Sequence, residues 1–136
     1  MAEFSWPVRV YYEDTDAGGV VYHANYLRFF ERARTEWLRA LGFEQDWLRD
    51  EHGLVFVVHS MAIRFHQPAR FNDYLSVTCE VLRARGASMV FRQRISRSDD
   101  STPLCEADLT VACIDSDGFT PRPIPKTMRA EMQHAR

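Results

Sequence analysis

The chain has 136 residues, 46% of them hydrophobic and 26% charged, with a formal net charge of −2. That length suits one domain, 1–136, able to bury roughly two-thirds of its surface without a metal or disulfide staple. The charge balance leaves no bulk footprint for nucleic acid, and no apolar run approaches the ~18 residues that span a bilayer.

The N-terminal MAEFSWPVRV has no basic region leading into an apolar core, so no secretory signal is expected. Cys79, Cys105 and Cys113 are odd in number, lack CxxC spacing and lie in apolar, strand-like runs. They read as small buried hydrophobes in a reducing compartment, which points to the cytoplasm.

Residues 7–13 alternate, with Val8, Val10 and Tyr12 on one face, and predict a short strand. Residues 14–23 read as a loop around Gly18 and Gly19. From Asn25 to about Leu41 the period becomes helical: Tyr26, Phe29, Phe30, Ala33, Trp37, Ala40 and Leu41 form one broad aromatic stripe. Arg32 and Glu36 are spaced to pair on the opposite face, and Gly42 is a credible stop. A shorter helix is expected over 45–51.

Strands follow. Residues 55–66 place Val55, Val57, Met61, Ile63 and Phe65 on one side; 74–83 group Leu75, Val77, Cys79 and Val81. Residues 88–96 group Met89, Phe91 and Ile95, and 104–114 group Cys105, Ala107, Leu109, Val111 and Cys113. RARGA and SDDSTP separate the last three runs as hairpin turns would. Pro121, Pro123 and Pro125 lead into a short charged helical end. The order is that of an α+β fold: about five antiparallel strands curled around one long helix. Such a sheet leaves an edge or outer face that a second copy would cover.

The stretch YYEDTDAGGVVYHANY, 11–26, holds the chemistry. It delivers carboxylates, glycines and a histidine to the start of the long helix, where unpaired N–H groups carry partial positive charge. That end can hold an anion, or a carbonyl oxygen that becomes one during reaction. A nearby carboxylate can serve as general base or nucleophile. From spacing alone, each part also has a structural reading. Asp14 and Asp16 can satisfy loop amides or cap the helix; Gly18–Gly19 can be a plain turn; His23 can be structural; Tyr12 can pack in the strand with its hydroxyl tied to a neighbour. No HExxH, GxSxG, GxGxxG or P-loop pattern competes, and the histidines lack metal-ligand spacing, so no metal or cofactor is expected.

VRVYYEDTDAGGVVYHANYLRFFERART, with its Tyr-x-x-Thr-Asp-x-x-Gly-x-Val-Tyr-His-x-x-Tyr pattern, resembles the signature of hotdog-fold acyl-CoA thioesterases of the 4-hydroxybenzoyl-CoA thioesterase-like superfamily. FHQPARFNDYLSV (65–77) and RPIPK (122–126) also fit, and the nearest branch is the one encoded beside the bacterial Tol–Pal envelope system. The resemblance implies a hotdog fold: a five-stranded antiparallel sheet around a central helix, in dimers joined edge to edge or in tetramers, with sites at the subunit interface. It puts the catalytic aspartate on Asp16, with Tyr12 and His23 as further site residues. It also implies an oxyanion-binding backbone N–H near Tyr22–His23, and Gly19 lining the approach. Asp14 is left as a structural loop acid. Glu31 sits on the helix, where some hotdog enzymes carry their carboxylate, and is read as part of a solvated ion pair.

The expected activity is hydrolysis of short-chain acyl-CoA. Arg64, Arg70, Arg83 and Arg92 are candidates for the CoA phosphates or, alternatively, for a solvated sheet face. Other readings are an acyl carrier protein or lipid-enzyme binding partner with little catalysis, and a dehydration reaction on a hydroxyacyl thioester.

Overall fold

The protein is described here by a computed structural model covering residues 3–134. The elements are β1 (Phe4–Arg9), a single 3₁₀ turn (Tyr12–Asp14), α1 (Asn25–Ala40), α2 (Gln45–His52), β2 (Leu54–Phe65), β3 (Tyr74–Arg85), β4 (Ser88–Arg97), β5 (Asp100–Asp115) and α3 (Lys126–His134). The strands form one antiparallel sheet in the order β1-β3-β4-β5-β2. β3, β4 and β5 are successive hairpin neighbours. β1 and β2 occupy the two edges, and Pro7, which cannot donate to a ladder, sits in edge strand β1. The α+β layout expected of the sequence is therefore present.

α1 buries the stripe its spacing predicts. Tyr26, Phe29, Phe30 and Ala33 pack with Val8, Val10, Leu75, Val77 and Ile95. Trp37 and Leu38 continue into a second cluster with Met89, Phe91, Leu109 and Val111, closed by Met128 and Met132 of α3. Phe29 and Phe30 are wholly buried; each contributes about 2–3 kcal/mol through apolar burial. These two residues lie in the first half of α1, so the helix end nearest the loop is the firmly held one.

Four local expectations are corrected. The first strand occupies Phe4–Arg9 rather than 7–13, because the chain turns at Tyr12–Asp14 and Asp14 Oδ2 accepts a hydrogen bond from Tyr11 N–H at 2.8 Å. Val10 stays buried, but Tyr12 swings outward, 77% exposed. In β2, a register shift between Val58 and Ser60 inserts one extra residue and reverses the side-chain phase. Leu54 and Phe56, not Val55 and Val57, therefore face the core before the bulge, and Met61 and Ile63 face it afterwards. Glu36 pairs with Arg39 at 2.6 Å rather than with Arg32, whose guanidinium lies over the Phe29 ring at 5.7 Å. Glu31 accepts a hydrogen bond from Thr35 Oγ1 instead of joining an ion pair.

The three cysteines are free and buried, and burial pushes their thiols up, Cys105 to about 12. Among the described residues no helix is long and apolar enough to cross a membrane.

Among the buried polar side chains, Gln93 alone of the described residues is wholly inaccessible. Gln93 of β4 lies in phase with Met89, Phe91 and Ile95 and is fully buried. The regular β3–β4 ladder opens between Val77↔Ile95 and Glu80↔Arg92. Gln93 Nε2 donates across the gap to Thr78 O (3.2 Å) and to Phe30 O of α1 (3.0 Å), and Arg34 donates to Gln93 Oε1 at 2.9 Å. This amide bolts the middle of the helix to the sheet.

Candidate active site

The loop between β1 and α1 is held from both ends. Asp14 is buried; its Oδ1 accepts from Asn25 Nδ2 at 2.7 Å and its carbonyl from Tyr22 N–H at 2.8 Å. The acid thus joins the start of the loop to the first residue of α1, a structural task that occupies both carboxylate oxygens. Beyond it, Thr15 and Val21 pair as an isolated bridge, and Asp16 N–H donates to Val20 O at 2.9 Å. These bonds close a small hairpin whose tip needs glycine: Gly19 has φ +80°. The hairpin is stitched to the β2–β3 connection by Val21 N–H to Ala69 O (2.8 Å). Ala69 N–H in turn donates to Tyr26 Oη on α1 at 3.0 Å.

Asp16 differs from Asp14 in every respect that matters for chemistry. It is exposed, and only Oδ1 is engaged, by Gly18 N–H at 2.8 Å. Its side chain lines a cleft of about 350 Å³. The walls are Val20 and Val21 on the loop, His23 and Tyr26 at the helix, and residues 65–68 leaving β2. Tyr26 is driven above the ordinary tyrosine range, chiefly by burial, so it stays a neutral phenol there.

The start of α1 opens toward this cleft. Ala24 takes the cap position in helical conformation, and no side chain caps the helix. Tyr22 N–H is spent on Asp14 O, and Asn25 N–H on Tyr22 O. Among the described residues, the backbone N–H groups of His23, Ala24 and Tyr26 have no acceptor. Of these three residues His23 and Tyr26 line the cleft, and Ala24 lies between them at the helix cap.

Of the residues singled out in the sequence, Asp16 and His23 come together on the cleft. Tyr22 stands beside His23, ring centroids 4.6 Å apart, and is half-exposed. Gly19 forms the hairpin tip. Tyr12 does not reach the cleft: its ring lies flat on Phe71 of the β2–β3 connection at 4.0 Å and 7°, an exposed aromatic pair, so the packed strand position is corrected. Glu31 lines a separate cavity of about 170 Å³ with Arg34 and Thr35. Arg64 and Arg92 are ion-paired, to Glu106 and Asp108, each at 2.9 Å. Arg70 lies in the segment that bridges to Val20, and Arg83 is exposed at the β3 bulge. His66, Gln67 and Tyr26 line the cleft without having been singled out for it.

Residues 10–132 match the thioesterase-like superfamily. The chain is 50% identical over 131 residues to the acyl-CoA thioesterase YbgC of Haemophilus influenzae, an alignment covering 96% of this chain and 95% of that protein. It is also 50% identical over 130 residues to the acyl-CoA thioester hydrolase YbgC of Escherichia coli O6:H1, with 96% of each covered. Among solved structures, a probable thioesterase from Bartonella henselae superposes with TM-score 0.86 at 38% identity, covering 91% of this chain and 100% of that one. A 4-hydroxybenzoyl-CoA thioesterase variant complexed with 4-hydroxybenzoyl-CoA superposes with TM-score 0.87 at 23% identity, over 96% and 98% of the two chains, a likeness of fold alone.

Proposed function

Because this chain belongs to the thioesterase-like superfamily, we propose that it hydrolyses acyl-CoA to a free acid and CoA, using Asp16 and the open end of α1. The activity, thioester hydrolysis, is the one named for relatives that share half its residues over nearly its whole length. The observation that carries the assignment of residues is one cleft lined by the exposed Asp16 at the helix end where, among the described residues, the N–H groups of His23, Ala24 and Tyr26 lack acceptors.

The thioester carbonyl rests against His23 N–H and Ala24 N–H. As the carbon becomes tetrahedral, negative charge gathers on its oxygen, and a well-placed donor contributes roughly 3 kcal/mol there. Asp16 Oδ1 holds the loop through Gly18, which leaves Oδ2 to react. Oδ2 either takes a proton from the attacking water or attacks the carbonyl itself to give a mixed anhydride. The His23 side chain orients the water or relays its proton. Val20, Val21 and Phe65 give the cleft apolar walls suited to a short aliphatic acyl group.

A panel of CoA esters from acetyl upward, read as thiol release, tests this. Turnover is expected to be greatest with short aliphatic chains; no thiol release from any ester would overturn the assignment. The same acyl groups on acyl carrier protein belong in the panel, since faster hydrolysis there points to a carrier-protein partner. A hydroxyacyl-CoA, followed for loss of water, checks the dehydration alternative. The setting that goes with this reading is the cytoplasm, and the branch resemblance adds a gene encoded alongside the Tol–Pal system.

We also infer a homodimer through edge strand β2, paired further into a tetramer. β2 has a ladder partner on one side only and carries Val57, Val58 and Phe65 exposed. Light scattering on the eluted protein is expected to give two or four times the 15.9 kDa chain mass; a monomer at micromolar concentration would exclude the edge pairing.

A further inference from the structure

Two imidazoles line the cleft, and the mechanism above uses one. Resting on that mechanism, we propose that His66 is a further catalytic residue, the proton donor to the departing CoA sulfur. It follows β2 directly, and its backbone is fixed by His66 N–H to Leu104 O at 2.8 Å and Gln67 N–H to the same oxygen at 3.1 Å. Its side chain lines the cleft with Asp16 and His23, and its Nε2 lies 3.6 Å from Glu106 Oε2. Glu106 belongs to β5 and is held by Arg64 of β2 at 2.9 Å. The Arg64 hydrogen bond, with a smaller part from His66, keeps this carboxyl below the usual glutamate range.

The charged and titratable groups around His66 are therefore Glu106 and Arg64 beside it, and Asp16, His23 and the neutral Tyr26 phenol lining the same cleft. His66 has the Glu106 carboxylate beside it, and His23 sits at the positive end of α1. The two imidazoles are set up for different tasks: His23 beside the attacking oxygen, His66 on the leaving side.

The step balances as follows. Water loses a proton to Asp16, and its oxygen bonds to the carbonyl carbon. The tetrahedral intermediate collapses, the carbon–sulfur bond breaks, and the sulfur keeps the electron pair. The proton on His66 passes to that sulfur, so CoA leaves as the thiol. The proton held by Asp16 returns to His66 through solvent. If Asp16 attacks directly, the collapse and the proton transfer to sulfur are unchanged; water then cleaves the anhydride, releasing the acid and freeing Asp16, and the proton it loses restores His66.

The CoA thiol is an alkyl thiol, more basic than an aryl thiol but far less basic than an alkoxide, so its thiolate already leaves moderately well. The help from His66 is therefore about tenfold, below the roughly hundredfold or more usual for general acid catalysis of poorer leaving groups. An aryl thiolate needs no such help. The test compares one acyl group carried on CoA and on a nitrothiophenol. His66→Gln is expected to lower kcat about tenfold on the CoA ester and less than twofold on the aryl ester. Glu106→Gln should give the same selective loss at about threefold, as a positioning residue. Asp16→Asn should lower hydrolysis of both esters alike, by roughly a thousandfold. Equal loss on both esters in His66→Gln, or loss on neither, would overturn the role of His66 and leave Asp16 untouched. Retained turnover in Asp16→Asn would instead remove the mechanism on which the role rests.

Discussion

Asp16→Asn is expected to lower kcat by roughly a thousandfold, within the range for loss of a general base and less than complete loss of a nucleophile, with thermal stability unchanged. The substitution separates the two jobs of this side chain. Asparagine keeps an oxygen where Asp16 Oδ1 accepts from Gly18 N–H at 2.8 Å, so the hairpin retains its closing bond. What it removes is the negative charge and the free reactive oxygen. Asp16→Ala removes both, and its activity loss should come with a small loss of stability, about 1 kcal/mol, for the missing loop bond. If both variants turn over like the parent, Asp16 is only a loop residue. Single-turnover hydrolysis in heavy-oxygen water then divides the two chemical routes. Isotope recovered in the Asp16 carboxylate marks an anhydride, and isotope confined to the product acid disfavours one.

Gln93→Leu should be the most destabilising polar substitution in the chain, although Gln93 lies outside the cleft. Leucine fits the apolar surroundings but cannot answer Thr78 O, Phe30 O or the Arg34 guanidinium. Phe30 O lies within α1 and has a helical partner as well. Thr78 O and Arg34 lose their side-chain partner in an interior where burial already pulls the guanidinium below its ordinary value. Leaving such groups unsatisfied costs about 1–3 kcal/mol each, so the total is about 3 kcal/mol, or about 10 °C in Tm for a chain of this length. A thermal melt of the variant reads the effect directly; a shift of ~2 °C or less would mean that the bolt between helix and sheet contributes little.

Periodicity carried most of the fold. The α1 stripe is apparent because Tyr26, Phe29, Phe30, Ala33 and Trp37 have no plausible strand reading, and the alternation of Cys105 through Cys113 is unbroken in β5. The phase of β2 was not legible, because a bulge at Val58–Ser60 reverses the side-chain faces and no glycine or proline marks it. Gln93 did leave a trace, a polar residue in an inward phase among Met89, Phe91 and Ile95, but its partners lie on β3 and α1, far away in sequence. The same holds for the site. Asp16, Gly19 and His23 are neighbours in the chain and could be read from one motif. His66 and Phe65 reach the cleft only because the β2–β3 connection folds back on the loop, a long-range contact that no local pattern encodes. Tyr12 was misplaced for the opposite reason: alternation continued through a residue that the backbone had already turned away.

The stitches around the hairpin have a consequence for binding. Asp14 to Asn25, Val21 to Ala69, and Ala69 to Tyr26 leave the loop, the helix end and the strand connection no independent freedom to lose. Their ordering entropy is settled when the core assembles, so an arriving thioester meets a rigid receptor and not a closing lid. Contact energy that would otherwise go into organising the walls is left to favour the tetrahedral species over the bound ester.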